Sequence, residues 1–389
     1  MVETTSGVKP RIGLILTGGG ARAAYQIGFL RAVSHMLPRG VLNPFKIICG
    51  TSAGAINAAA MAAGATDFHR AVRRLMLVWK YFHVDDVYRS DVPGVIGTGS
   101  KWLAAILLGG LGKNNPTSLL DNAPLAQLLR RHLDFPGIRK SIEAGALYAL
   151  SVTTSGYTSG HSVSFFQGAP GLAGWQRARR IGVPEVIDID HLMASSALPF
   201  MFPAVHLRRE FFGDGSMRQI APISPALHLG ADRVIIIGVG RQAGSATERI
   251  KTVAHPSLAQ IAGHALNSIF LDSLEADIER LQRINRTIRL ISPEDRSRHD
   301  IQLREIDVLV ISPSEEIDRI AARHMHELPR SIRFLLRGLG ATRTGGATLT
   351  SYLLFEPTYC RALIALGYKD TMARREEILR FIGPVVTQE

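Results

Sequence analysis

The chain has 389 residues, 46% of them hydrophobic, enough to bury one large core or two. Its 45 Lys and Arg against 33 Asp and Glu leave a net charge of +12, and its two cysteines, Cys49 and Cys360, exclude a disulfide framework and point to a reducing, intracellular setting. No zinc-finger spacing and no RNA-binding aromatic motif accompanies the basic charge, so nucleic acid is not the expected partner.

Taken in chain order, residues 1–10 carry no basic-then-apolar signal and read as a disordered lead-in. The apolar run Ile12-Gly13-Leu14-Ile15-Leu16 predicts a buried strand. It runs into Thr17-Gly18-Gly19-Gly20-Ala21-Arg22, and a helical pattern follows over about 23–36. A second apolar run, 45–49, leads into Gly50-Thr51-Ser52-Ala53-Gly54 and then a small-residue helix. Residues 102–112 form the most apolar stretch, bracketed by Lys101 and Lys113 inside a Gly- and Pro-flanked segment, 92–116. Eleven residues fall well short of the ~20 needed to span a bilayer. Two readings of this segment stand: a lid or interfacial anchor with snorkelling lysines, and a helix buried in the core.

Further on, residues 147–154 and 161–166 predict a hairpin around 155–160. A strand-like run, 205–210, precedes Phe211-Phe212-Gly213-Asp214-Gly215-Ser216. Residues 225–230 read as a helix before a fully buried strand at 233–239. A helical pattern covers 257–286, short strands are expected at 287–291 and 308–311, and helices resume at 349–367 and 369–381. This α/β alternation predicts a three-layer α/β/α fold, a mainly parallel central sheet with helices on both faces and a helical C-terminal extension. There are no internal repeats.

Three segments carry chemistry. Gly50-Thr51-Ser52-Ala53-Gly54 reads G-x-S-x-G between a strand and a helix. Such a turn strains the backbone so that a serine hydroxyl projects at a helix N-terminus, where developing negative charge is favoured. The three glycines after the first strand expose backbone N–H groups, the donors that an acyl-transfer oxyanion needs. Asp214, between two glycines, reads either as a hairpin turn residue or as a carboxylate displayed at a sheet edge. Beside a serine nucleophile such a carboxylate takes the hydroxyl proton as general base. A dinucleotide reading of Gly18-x-Gly20-x-x-Ala23 fails, because no Asp or Glu lies between Ala21 and Thr66 to hold the ribose. Residues 94–101 likewise lack the Walker A order.

In order and spacing these motifs resemble the patatin-like phospholipase family, over about residues 11–225. The family's pattern is a D-G-G-G-x-[KR]-G loop, a G-x-S-x-G elbow and a D-G-[GA] motif. The segments Ala194-Ser195-Ser196-Ala197-Leu198-Pro199 and Ser118-Leu119-Leu120-Asp121 are similar to family segments as well. The resemblance implies a Ser-Asp dyad with Ser52 as nucleophile and Asp214 as base. It implies an oxyanion hole at Gly18, Gly19, Gly20 and Ala21, supported by Arg22, Gly50, Gly54 and Gly215. It also implies a lipid substrate and neither cofactor nor metal. The chain departs from the pattern at Thr17, Ala23 and Ser216, and a Cβ at position 23 is expected to narrow the loop or to forbid a positive φ there.

The expected activity is therefore that of a serine lipid acyl hydrolase of the phospholipase A or lysophospholipase type. Two alternatives differ from it. One is a Ser-Asp-His triad drawing on His228, His255 or His264. The other is a catalytically silent lipid-binding protein. Residues 226–389 are expected to complete the sheet and add the C-terminal helices. Basic clusters at 130–132, 177–180 and 330–343 suit transient contact with an anionic membrane surface, or are simply solvated. The donor cluster His324-Met325-His326-Glu327 lacks metal-site spacing. No pattern in the chain sets an oligomeric state.

Overall fold

The computed structural model describes residues 10–91, 118–240, 255–299, 301, 303–338, 340 and 346–385. The expected insertion at 92–116, with its apolar stretch, lies outside the described residues, as does most of the lead-in.

Ten strands form one sheet: β1 (Ile12–Leu16), β2 (Ile47–Thr51), β3 (Ala149–Gly156), β4 (Ser162–Gly168), β5 (Trp175–Arg177), β6 (Arg180–Pro184), β7 (Val205–Leu207), β8 (Glu210–Asp214), β9 (Arg233–Ile237) and β10 (Asp307–Ile311). The order runs β10-β9-β1-β2-β3-β4-β6-β5, and the β7–β8 hairpin joins β3 through β8. From β10 to β3 every pairing is parallel. Antiparallel pairs appear only on the far side, at β3–β4, β3–β8, β7–β8 and β5–β6.

Side chains alternate across the sheet with the strand period of two. Leu14, Leu16, Ile48, Ile235 and Ile237 belong to one core cluster, whereas Ile15, Cys49, Val234 and Ile236 belong to the other. Two apolar faces demand two helical layers. On the first face lie α1 (Ala24–Met36), α2 (Ala53–Ala63), α3 (Phe68–Lys80), α4 (Ala123–His132), α5 (Phe135–Glu143) and α6 (Ile189–Ser195). The second face is covered by α7 (Ser224–His228) and, past α8 (Leu258–Asn267), by α9 (Ser273–Arg289), which contributes Leu274 and Leu281.

The C-terminal region supplies α10 (Pro293–Arg298), α11 (Ile317–His324), α12 (Arg330–Gly338), α13 (Ala347–Leu353), α14 (Pro357–Ala373) and α15 (Arg375–Ile382). Of these α14 packs backbone to backbone on α1, where a Cβ at Gly28 would stand 2.3 Å from the Ile364 carbonyl. Tyr25 seals the crossing by donating to Asp370 Oδ2 at 3.0 Å.

Two local expectations are corrected. Residues 287–291 make no strand: α9 continues to Arg289, its polar and apolar residues keeping helical spacing, and a turn follows. The run 205–210 is not a single strand, because a turn at Arg208, with φ 55°, folds β7 back on β8. The aromatic pair Phe211-Phe212 thus lies within β8, and Asp214 ends it. Among the described residues no helix is long and apolar enough to cross a membrane.

Candidate active site

β1 and β2 are parallel neighbours, so both deliver their C-terminal ends to one edge of the sheet. Beyond β2 the chain reverses at Ser52 into α2. Ser52 adopts φ 55° and ψ −132°, a conformation that residues with a side chain seldom take and that persists only where the surroundings enforce it. Ser195 does part of that work. The Ser52 N–H donates to Ser195 Oγ at 2.9 Å, and the Ser195 hydroxyl donates to the Thr153 carbonyl at 2.7 Å.

The motifs meet through close backbone approaches that only glycine permits. A Cβ at Gly54 would lie 2.2 Å from the Leu16 carbonyl oxygen, so the elbow rests directly on the end of β1. One at Gly215 would lie 2.1 Å from the Thr153 carbonyl, which places the Asp214-Gly215 corner against β3. Gly50 is buried within β2, against the first turn of α2.

Asp214 is fully buried at the end of β8, opposite Thr154 of β3. Its Oδ1 accepts from the Ser216 N–H at 2.9 Å, while Oδ2 has no well-aligned hydrogen-bond partner. Burial pushes this carboxyl up to about 6, against the lowering influence of the Ser52 hydroxyl and of Ser216. The Ser52 hydroxyl is thus near enough to Asp214 to hold its value down without a well-aligned hydrogen bond.

The glycine loop turns through φ 160° at Gly19 and 54° at Gly20, into a single tight turn, Gly20–Ala23. The Arg22 N–H closes on the Gly19 carbonyl at 3.1 Å, whereas the N–H groups of Gly18 and Gly19 donate to no acceptor among the described residues. Gly18 lies against the Ser216 side chain, which brings the first and third motifs into contact. Ala21 is buried beneath the loop.

The departures from the family pattern now have an account. Ala23 has φ −64° and ψ −10°, ordinary right-handed helix, so no positive φ is required there and its Cβ imposes no backbone strain. The Thr17 hydroxyl donates to the Ile237 carbonyl at 3.0 Å, fixing the loop's first residue to the end of β9. Ser216 adds a hydroxyl beside Asp214. Arg22 does not face the site: it is 3% exposed, donates to Ser351 Oγ at 2.8 Å and Asp318 Oδ1 at 2.6 Å, and stacks on Tyr352.

A buried polar network under the elbow escaped the sequence reading. Trp79 donates to Asn57, Asn57 to Gln26, and Gln26 to the Thr17 carbonyl, at 2.8, 2.9 and 2.7 Å. The three residues lie on three different helices, and no local motif marks their meeting.

Ser52 and Gly20 open on a cavity of about 1020 Å³ between α2, α3 and α4. Its walls are mostly apolar, with Arg70, Arg74, Arg131 and His132 among the polar residues that line it. The three histidines of the triad alternative are elsewhere. His228 stacks on Trp175, His264 is exposed on α8, and His255 is exposed; none lines the cavity or bonds to Ser52 or Asp214. Among the described residues no group of His, Cys, Asp and Glu is arranged to hold a metal ion. An apolar cavity, a serine hydroxyl on a strained turn, a buried carboxylate and N–H groups without an acceptor among the described residues together suit acyl transfer from a lipophilic ester.

Comparison with known proteins gives one family match: the model of the patatin-like phospholipases fits residues 14–227. No curated protein matches the chain. Among solved structures the chain is similar to VipD from Legionella pneumophila, at 12% identity over 95% of this chain and 67% of that one, with a TM-score of 0.33. It is similar to human GIVD cytosolic phospholipase A2, at 13% identity over 98% and 61%, with a TM-score of 0.46. The type III effector ExoU aligns at 15% identity over 88% and 77%, with a TM-score of 0.30. This chain thus spans less than two thirds of the human protein's length.

Proposed function

The chain belongs to the patatin-like phospholipase family, and from that premise we propose that it hydrolyses fatty-acyl esters of lipids through a Ser52–Asp214 dyad. The observation that carries the reading is the strained Ser52, opening on an apolar cavity beside a buried carboxylate with one unpartnered oxygen. Asp214 accepts the Ser52 proton as Oγ attacks the ester carbonyl. The oxyanion is held by N–H groups of the Gly18–Ala21 loop, and Asp214 passes its proton to the leaving oxygen as the alcohol departs. Asp214 then deprotonates a water that attacks the acyl-enzyme, and returns the proton to Ser52 Oγ as the acid leaves.

The substrate class is a phospholipid or lysophospholipid, cleaved at an anionic membrane surface inside the cell. Helix α12 supports the surface part of this reading. Phe334 is 79% exposed and shares a helical face with the exposed Arg330 and Arg337, while Ile332 and Leu336 are buried.

Labelling with a fluorophosphonate tests the nucleophile. Wild type is expected to label and Ser52→Ala not to; a protein that never labels is a lipid binder, not a hydrolase. A mass-spectrometric assay on a panel of phospholipids, lysophospholipids and glycerides, with Asp214→Asn as control, fixes the substrate class.

A further inference from the structure

The cavity-facing side of α2 has a pattern that catalysis alone does not require. Ala53, Ile56, Ala60, Ala63 and Gly64 line the cavity, at the three- and four-residue spacing of one helical face. Ile56, Ala60, Ala63 and Gly64 are only partly buried, while Ala55, Ala58, Ala59, Met61 and Ala62 are packed away. Past Ile56 this floor is made of the smallest side chains, which leaves a shallow trough.

The trough has a direction. Ser52 stands at the N-terminus of α2, and Gly64 lies twelve residues on, about 18 Å along a helix rising ~1.5 Å per residue. Helix α3 then runs back beside α2: Ala71 packs on Gly64 near its start, and Trp79 reaches Asn57 near its end. The end of α4 and the start of α5 close the far side, where Gly137 approaches the Ala63 carbonyl. Leu75 and Val78 on α3, with Leu125, Leu128 and Leu129 on α4, make the walls apolar.

The far end is different. Arg70, Arg74, Arg131 and His132 line it, all exposed. The nearby carboxylates do not neutralise them. Asp67 accepts from the Arg70 N–H at 3.0 Å and Asp134 from the Gly137 N–H at 3.3 Å, each capping a helix, and no ion pair joins either to these cations. The trough therefore runs from the nucleophile through hydrocarbon to a hydrated cationic mouth.

We infer that this trough is the acyl-chain subsite and that α2 gauges chain length, a deepening that rests on the hydrolase reading above. The ester carbonyl lies at Ser52 and the alkyl chain follows Ile56, Ala60 and Ala63. Each C–C bond of about 1.5 Å advances an extended chain by ~1.25 Å, so roughly 14 carbons reach Gly64. Up to that length each added methylene leaves water for an apolar wall, worth roughly three- to fourfold in kcat/KM. Beyond it the chain enters the cationic mouth and gains nothing. Ala60 and Ala63 are the specificity-determining positions, about 12 and 16 Å from Ser52 along the same helix.

The test is kcat/KM for saturated p-nitrophenyl esters from four to eighteen carbons, with Ser52→Ala as the blank. Wild type is expected to rise with length and level off near fourteen carbons. Ala60→Phe moves the optimum to about eight to ten carbons, and Ala63→Phe to about twelve. Ala60→Leu, a smaller step, moves it the same way by less. Optima that stay at the wild-type length in variants that still hydrolyse esters would overturn the gauge and leave the hydrolase reading intact. Failure of wild type to hydrolyse any ester above the blank would sink both.

Discussion

The backbone of Ser52 is held by the side chain of Ser195: the Ser52 N–H donates to Ser195 Oγ at 2.9 Å, and the same hydroxyl donates onward to the Thr153 carbonyl at 2.7 Å. One hydroxyl thus ties the elbow to β3 and satisfies two buried backbone groups. Ser195→Ala removes both bonds and leaves the Ser52 N–H without its partner, at a cost of about 1–3 kcal/mol in stability. Because the freed N–H belongs to the strained residue, the proposed nucleophile also loses part of what enforces its conformation. The expected result on a short ester is a kcat lowered about ten- to a hundredfold, with KM little changed. A Ser195→Ala protein with lowered melting temperature but wild-type kcat would make Ser195 a purely structural residue.

Asp214 links activity to pH and to stability in opposite senses. Its carboxyl is raised from 3.8 to about 6 because burial penalises the charged form. The proposed reaction needs that charged form, so kcat/KM should fall about tenfold per pH unit below about 6. For stability the folded state holds the proton more tightly than the unfolded chain. Stability therefore declines as pH rises between about 4 and 6, and above 6 the ionised group costs roughly 3 kcal/mol. Asp214→Asn should then abolish hydrolysis yet raise the melting temperature at pH 7.5, with the gap closing below pH 4. Thermal melts of the two proteins across that range check the sign; a destabilised Asp214→Asn at pH 7.5 would contradict it.

Ser216 tunes the same carboxyl. Both its N–H and its side chain hold the Asp214 value down, and Ser216→Ala removes only the second. The acid limb of the pH profile should move to higher pH, with a larger loss of rate at pH 5.5 than at pH 8. Superimposable profiles for Ser216→Ala and wild type would show that the hydroxyl contributes nothing.

Where a function is written in backbone geometry, the sequence discloses it. Gly54 and Gly215 are glycines because carbonyls of β1 and β3 stand where a Cβ would be, and a reader of sequence sees them as motif glycines. The unbroken apolar run Val234-Ile235-Ile236-Ile237 likewise announces a strand buried on both faces, and its side chains do divide between the two cores. Long-range side-chain relations leave no such trace. Nothing local says that Gln26, Asn57 and Trp79 meet, or that the Arg22 side chain turns away from Ser52 toward a residue almost three hundred positions on. The hairpin at Arg208 was hidden because arginine gives no sign of a positive φ. Ala23 misled in the other direction: at φ −64° that position makes no demand for the positive φ that only glycine takes readily.

The Arg22–Asp318 pair gives the glycine loop a second anchor, in the C-terminal region. Arg22 is 3% exposed and sits between Asp318 Oδ1 at 2.6 Å, Ser351 Oγ at 2.8 Å and the Tyr352 ring at 3.9 Å. Asp318 also accepts from Thr348 at 2.5 Å, so α11 and α13 close on the loop together. Asp318→Ala strands a guanidinium in the interior. Since Asp318 itself is a third exposed, the expected cost is about 2–3 kcal/mol, at or below the low end of the ~3–5 of a fully buried pair. Arg22→Lys keeps the charge but loses the fork that reaches Ser351 and Asp318 at once, and the flat stacking on Tyr352. Both variants should melt earlier and label more slowly with fluorophosphonate, because the N–H groups of Gly18 and Gly19 lose the turn that aims them. Labelling at the wild-type rate in a measurably destabilised Asp318→Ala would confine the pair's role to holding the C-terminal helices.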